Sequence, residues 1–492
     1  MRRRSSALWL SATALVLLPG DVRSQAVSVP ADAGVTRASV ERDPEMDPLV
    51  HALAKERALA GASLGIAVLD VDSGRVVAAV NEHAPLNPAS NAKLFTAGVA
   101  LATLRGEFRY DTTLTGRIER DAVVGPLGVR GFGDPSLSTA DMWEMVEQLK
   151  SRGIRRVEGD IVVDQRFYDD QTTPPAFEQQ PNEWSSFRAP VSAVAVDENC
   201  ITLTVRPSAP GAPARVTFEP PGFVDFDGTI RTSDAPGADT VELMLSGNGS
   251  RMTAKVSGAV GSDARLVRYT RRAEDPRLLA GFALKALLAE AQISVSGDVK
   301  LGSVRGTTLA HHQSLPLSSL LYALGKHSDN FYAEMIFKSL GGEAKARPAK
   351  SADASEVVTK WLERIGAWDA DMVIKNGSGL FDANRVSAWS TVELLKWAWR
   401  DPAVQPEFAA QLSVGGVDGS LHKRFRNEAT RRRIRAKTGT LDDVIALSGY
   451  ITRDNGKGPL AFSIIWNHVG GHQDAARRAG DRLVELLAKR WP

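Results

Sequence analysis

The sequence predicts an α+β protein: an antiparallel sheet covered by helices and interrupted by a large, mostly-β insertion. Three observations predict it. Paired apolar strand patterns occur near the start and near the end of the chain, and an apolar helix follows the first pair. From Gly106 to about Ala264 the texture shifts to glycine, proline and short strand-like runs. At 492 residues the chain exceeds one compact core, so two or three domains are expected.

Taken in order, residues 1–24 read as a signal peptide. Arg2-Arg3-Arg4 precede an apolar run from Ala7 to Leu18, Pro19-Gly20 break it, and Val22-Arg23-Ser24 offers a cleavage site. The run is too short for a comfortable membrane span and no second one follows. The mature protein is therefore expected to be exported to the periplasm, with no membrane span after cleavage. Residues 25–44 read as a flexible lead-in. A helix-like segment at 49–54 then leads to strands at 64–70 and 76–80, joined by Asp72-Ser73-Gly74-Arg75. Pro88 cannot continue a helix from upstream, whereas Ala92 to Leu104 propagates one readily. Within the insertion one convincing helix stands at 140–149, and Ser246-Gly247-Asn248 reads as a turn. Helical character resumes at 276–288 and 317–324. Strands at 444–452 and 460–466 flank the turn signal Asp454-Asn455-Gly456, and a helix at 473–487 closes the chain.

Composition excludes some functions. A net charge of +2, from 60 basic and 58 acidic residues, gives no case for a nucleic-acid partner. Arg431-Arg432-Arg433 reads as a solvated face or a substrate-steering patch. The single cysteine excludes an internal disulfide and argues against a metal site. Cys200, ahead of the strand-like 201–205, reads as a buried structural thiol. No cofactor is implied, and oligomeric state is not legible.

The chemistry lies in three short motifs. Ser90 sits at the start of the apolar helix with Lys93 one turn later on the same face, a nucleophile and base pair. To take the hydroxyl proton Lys93 must be neutral, which requires burial or cationic neighbours. Ser328-Asp329-Asn330 precedes an amphipathic stretch, and Lys437-Thr438-Gly439-Thr440 opens a strand. A second Ser-x-x-Lys, Ser420 to Lys423, has no such company. The three motifs in this order are those of penicillin-interacting serine enzymes. In such chemistry Ser90 attacks, Lys93 takes the proton, and Ser328 relays one to the leaving amine between Lys93 and Lys437. Asn330 bonds the acyl-side amide and holds Lys93. Lys437, Thr438 and Thr440 bind a terminal carboxylate, and the N–H groups of Ser90 and Thr440 form the oxyanion hole. Asp329 is expected to cap its loop and His327 to face solvent. Gly439 is expected to leave room for ligand backbone.

With these residues in place the chain resembles the D-alanyl-D-alanine carboxypeptidase/endopeptidase family, the class C low-molecular-mass penicillin-binding proteins. The likeness extends through the long insertion and includes Gly131-Phe132-Gly133-Asp134-Pro135, Gly159 to Asp164, Gly377-Ser378-Gly379-Leu380 and Gly416 to Leu421. It implies a penicillin-binding-protein/serine β-lactamase-like transpeptidase domain built from 45–105 and 265–492. Residues 106–264 are then the inserted domain or two nested subdomains. It also implies an exported hydrolase of peptidoglycan stem peptides and cross-links that β-lactam antibiotics acylate. One region departs from the family. Asn182-Glu183-Trp184-Ser185-Ser186-Phe187 carries Glu183 where relatives carry Asp, and Asp382 stands where they carry Arg. Asn376 replaces the usual acid. Glu183, Phe187 and Asp382 are therefore expected to face the stem-peptide side chain and to disfavour an anionic one, unless Arg385 supplies the missing cation. Two other readings fit parts of the pattern: a serine β-lactamase or esterase on the same scaffold, and a non-catalytic wall-binding protein that kept the fold.

Overall fold

The computed structural model describes residues 43–54, 57–453 and 456–492. The expected signal peptide, lead-in residues 25–42, and Asp454 and Asn455 of the expected turn lie outside the described residues. Asp43, near the end of the expected lead-in, is already anchored: its N–H bonds the carbonyl of Val77, and its carboxylate caps the helix Met46–Ala54.

Six strands form the sheet that carries the site, in the order Val76–Val80, Ser63–Asp70, Leu460–Asn467, Val444–Ile451, Ile434–Leu441 and Ser413–Val414. Every neighbouring pair is antiparallel, so the first hairpin and the last lie side by side although the insertion separates them in sequence. Helices cover both faces. The helices Met46–Ala54 and Gln473–Arg490 pack on one side, and six further helices, Ala92–Leu104 among them, pack on the other. This explains why Val444–Ile451 and Leu460–Asn467 are buried at every position and read as continuous apolar runs. The helix Ala92–Leu104 is apolar all round because it lies inside the helical layer, with Ala92 to Leu101 buried without interruption.

The insertion hangs on a short neck. Ser314 donates its N–H to the carbonyl of Tyr110, Leu317 to that of Phe108 and Ser318 to that of Gly106. Entry and exit strands thus run side by side, and what lies between them is the inserted part. Its first sheet orders Val299–Leu301, Ile161–Asp164, Leu127–Gly131, Asp111–Gly116 and Thr307–Gln313. The helix Leu279–Glu290 buries Leu279, Ala283, Leu284 and Leu287 against that sheet. Residues 279–313, assigned from sequence to the motif-bearing domain, therefore pack on the inserted sheets. The composition change near Ala264 falls inside the insertion, which continues through the strand Val267–Arg272, the helix Leu279–Glu290 and the strand Thr307–Gln313 before the chain leaves it. A second group of strands, from Cys200–Arg206 to Val267–Arg272, has its own small core of Leu203, Val205, Ile230, Val256 and Val260. Ser246 and Gly247 lie in the strand Glu242–Asn248, Ser246 opposite Thr253, rather than in a turn; the turn follows at Gly249, which has φ +62°. Cys200 is buried beside Phe331 and Met335.

Candidate active site

The nucleophile turn is set by Pro88 and Asn87. Asn87 Oδ1 accepts the N–H of Ala89 at 2.9 Å, and Ala89 adopts φ +45°, which aims Ser90 out of the turn Ala89–Asn91 at the head of the long helix. Lys93, one turn on, is fully buried, and its Nζ lies 3.1 Å from Ser90 Oγ. Its two other neighbours are carbonyl oxygens, Asn330 Oδ1 at 2.7 Å and Ser378 O at 2.8 Å. A neutral amine has two N–H donors and one lone pair. The two carbonyls take the donors, which leaves the lone pair for the hydroxyl proton of Ser90. Burial pulls Lys93 from 10.5 down to about 7, against the opposing fields of the Glu334 and Asp329 carboxylates.

The second motif crosses the cleft on the loop between the helices Leu317–Lys326 and Asn330–Ala344. Ser328 is held at φ +59°, an uncommon conformation for a residue with a Cβ, and its Oγ accepts from Lys437 Nζ at 2.7 Å. Asp329 caps the following helix by accepting the N–H of Tyr332 at 2.9 Å, and His327 is exposed, both as expected from the sequence. Asn330 offers its carbonyl to Lys93 and donates its amide to the carbonyl of Phe187 at 3.0 Å, which ties the insertion to the site. Of the two lysines, only Lys437 is in hydrogen-bond contact with Ser328.

The third motif lies on Ile434–Leu441. The short strand Ser413–Val414 pairs only with Arg435 and Ala436, so the edge from Lys437 onward lies along the nucleophile turn. Gly439 makes that approach feasible. A Cβ there would stand 2.8 Å from Pro88 O and 3.1 Å from the Cβ of Ala89. The glycine therefore makes room for the nucleophile turn. Lys437 is fully buried; burial first, then the neighbouring Lys93, hold it well below the usual lysine range. Thr438 donates its hydroxyl to Ser420 Oγ at 2.8 Å. Ser420, dismissed in sequence as half of a chance Ser-x-x-Lys, thus reaches the site from an adjoining loop, while Thr440 is exposed.

Three residues complete the scaffold, and sequence reasoning passed over two of them, Glu334 and Asn87. Glu334, one turn beyond Asn330, is buried and accepts the N–H groups of Gly377 and Ser378 at 3.2 and 2.8 Å. Asn376 bonds Gly379 N and exchanges bonds with Asn384, which closes the 376–384 loop. Asn87 joins that loop to the nucleophile by donating to Phe381 O and Asp382 Oδ1. The signals were present: an acid at helical spacing from Asn330 on a buried face, and asparagines at loop ends.

A cavity of about 710 Å³ opens at Thr440, with Phe187, Leu380, Phe381, Asp382 and Arg385 on its wall. Asp382 does not stand there alone. Arg385 holds it with a two-pronged ion pair at 2.6 and 3.0 Å, which keeps its carboxyl below the ordinary range. Arg385 therefore lies on the cavity wall as the partner of Asp382 rather than as a free cation. Glu183 is not on the cavity wall; its carboxylate folds back onto the N–H and hydroxyl of Ser185. Arg433, from the triple-arginine run, bonds the carbonyls of Thr452, Ala429, Ala488 and Trp491, a structural rather than a steering role.

Comparison with known proteins places this arrangement. A family model described as "D-Ala-D-Ala carboxypeptidase 3 (S13) family" matches residues 47–490. A D-alanyl-D-alanine carboxypeptidase of Actinomadura sp. (strain R39) is 34% identical over 482 residues, 93% of this chain and 87% of the relative. A D-alanyl-D-alanine carboxypeptidase DacB of Haemophilus influenzae is 24% identical over 408 residues, covering 81% and 84%. Among solved structures, penicillin binding protein 4 (dacB) of Haemophilus influenzae superposes with a TM-score of 0.73 at 23% identity, over 90% of this chain and 98% of that one. The same protein has been solved in complex with a β-lactam. The fold is the α+β penicillin-binding fold.

Proposed function

The chain belongs to the D-Ala-D-Ala carboxypeptidase 3 (S13) family, and from that premise we propose that it is a serine hydrolase of peptidoglycan stem peptides that works through an acyl-enzyme on Ser90. The observation that carries this reading is the 3.1 Å approach of Ser90 Oγ to a buried Lys93 whose two other contacts are carbonyls.

Each step has a group to perform it. Lys93 takes the Ser90 proton as Oγ attacks the carbonyl of the penultimate D-alanine. The N–H groups of Ser90 and Thr440, one at the start of a helical turn and one on the edge strand, hold the oxyanion. Lys437 with Thr438 and Thr440 receives the terminal carboxylate. Ser328, in contact with Lys437, passes its hydroxyl proton to the departing amine as the C–N bond breaks and is resupplied with the proton that Lys93 took from Ser90, so the acyl-enzyme forms with Lys93 neutral again. Water then attacks the ester, Lys93 takes its proton, and Ser90 is released protonated. No cofactor enters the sequence. Carboxypeptidase and endopeptidase action break the same type of amide and differ only in the leaving amine, so we include cleavage of cross-links. A β-lactam presents a strained amide to the same serine, and the expected product is a stable adduct. The leader at 1–24 supports export to the periplasm.

Fluorescent penicillin tests the assignment. The expected result is one penicilloyl adduct on the peptide that contains Ser90 and none in a folded Ser90→Ala protein. An adduct on the Ser90→Ala protein overturns the nucleophile assignment. Release of D-alanine from a stem pentapeptide, compared with scission of a cross-linked dimer, measures the balance of the two activities.

A further inference from the structure

We propose that the exposed face of the three-stranded sheet in the insertion, Arg215–Glu219, Cys200–Arg206 and Val267–Arg272, is a second binding site that grips carboxylates of the wall polymer away from the catalytic serine. The inference rests on the substrate reading given above. Arg206 and Arg215 are direct cross-strand partners, and Arg268 stands opposite Thr204, so all three project from one face. With Thr204, Thr217 and Glu219 they line a shallow concavity of about 290 Å³.

Two observations point to a ligand. First, none of the three guanidiniums has an ion-pair or hydrogen-bond partner among the described residues, whereas Arg156, Arg166, Arg251 and Arg277 of the same insertion each hold an aspartate. Like charges opposite one another across a strand pair are unfavourable, and Glu219, which shares the concavity, forms an ion pair with none of them. Second, the hydroxyl of Thr204, at the centre of the face and 8% exposed, has no hydrogen-bond partner. Unpaired guanidiniums, each a planar fork of donors, fit a carboxylate, which accepts two parallel bonds.

Position adds the connection to function. Arg268 lies three residues, about 10 Å of extended chain, from Arg271. Arg271 pairs with Ser185, and Arg272 bonds Trp184 O and Glu183 O. That segment runs to Phe187, whose carbonyl holds Asn330. One strand therefore carries the arginine platform at one end and the rim of the active site at the other. A polymer with a carboxylate on each stem peptide can engage both, and the second contact raises its effective concentration at Ser90.

The test is co-sedimentation of the exported chain with insoluble peptidoglycan, alongside hydrolysis of a short soluble stem peptide. Replacing Arg206, Arg215 and Arg268 together by Ser should weaken sedimentation about tenfold and leave the soluble-peptide rate within about twofold. The triple Lys variant should keep most of the binding because charge survives, and Glu219→Gln should strengthen it. Peptidoglycan whose carboxylates have been capped as methylamides should lose the wild-type protein. Equal retention of wild type and the Ser variant, or of native and capped polymer, overturns the proposal, as does release by Glu219→Gln. A wild-type protein that sediments but fails to hydrolyse the short peptide counts against the catalytic reading and leaves the platform standing.

Discussion

Glu334 accepts the backbone N–H of Ser378 at 2.8 Å, and the carbonyl of the same Ser378 accepts from Lys93 Nζ at 2.8 Å. A buried carboxylate therefore fixes the loop that fixes the base. Thr96 reinforces it by donating its hydroxyl to Gly377 O at 2.8 Å. Glu334 is a positioning residue: it touches the loop and never the reacting serine.

The first prediction concerns pH. Lys93 works when neutral, and burial brings it to about 7, so acylation should rise with pH and reach half its maximum near 7. Below that value Lys93 carries the proton it must accept; above it the lone pair is available. The Glu334 carboxylate resists this depression. Glu334→Gln should therefore move the midpoint to lower pH. It should also cost about 1–3 kcal/mol of stability, because an amide NH₂ then faces a backbone donor. Observed β-lactam acylation rates against pH, with denaturant unfolding, test both. A midpoint that stays put or rises refutes the electrostatic part.

Lys437 gives the second. An electrostatic role alone lets Arg keep part of the activity, since charge is preserved. The structure narrows this expectation. Lys437 is 1% exposed, with Nζ 2.7 Å from Ser328 Oγ and 2.9 Å from Thr438 O. A guanidinium is larger than this slot, and overpacking of this kind costs about 1–3 kcal/mol. Lys437→Arg should therefore acylate nearly as slowly as Lys437→Ala and also melt earlier. An Arg variant with wild-type stability and substantial activity would contradict it.

How much of this was legible beforehand differs by element. The three motifs were, because their chemistry requires those residue types on a helix start, a loop and a strand. Both hairpins of the main sheet were too, but their adjacency across the insertion was not, since strand order is a long-range property. The exit of the insertion was misplaced because an apolar helix such as Leu279–Glu290 looks alike whichever sheet it covers. Gly439 was singled out, but sequence shows only that a Cβ is missing and not that the turn at Pro88 and Ala89 fills the space. Asn87 and Glu334 were missed because single polar residues carry no motif. Only contact with Ala89 and Ser378 reveals their work.

The neck yields the third prediction. Deleting 106–264 removes strands that pair with Ser294–Val295, Val299–Leu301 and Thr307–Gln313 and strips the helix Leu279–Glu290 of its sheet. That variant should be insoluble. Excising 111–313 and joining Tyr110 to Ser314 through a short Gly-Ser link should instead give soluble protein, because those residues are already bonded at 2.9 Å. It should still bind fluorescent penicillin, though more slowly, since Asn330 loses the carbonyl of Phe187. Equal solubility of the two deletions would show that the neck is not the true boundary.

The last prediction turns on Asp382. Arg385 neutralises it with two hydrogen bonds, and Asn87 Nδ2 adds a third at 3.2 Å, so the cavity wall presents a bound pair rather than a bare charge of either sign. Two unit charges about 4 Å apart at an effective dielectric near 20 interact by roughly 4 kcal/mol, but a paired donor and acceptor largely cancel at that range. Wild type should therefore discriminate weakly between stem peptides whose side-chain carboxyl is free and those in which it is amidated. Asp382→Asn releases the guanidinium of Arg385 into the cavity with no anion to hold it. The free-acid peptide should then gain, by a factor of about three to ten, because a partly exposed pair contributes on the order of 1 kcal/mol. Arg385→Gln, which leaves Asp382 unpaired, should shift the ratio the other way, toward the amidated peptide. Hydrolysis rates for the paired peptides in the three proteins decide the matter, since opposite shifts in the two variants are required. Parallel shifts, or none, would mean that this pair only closes its own loop and never meets the substrate side chain.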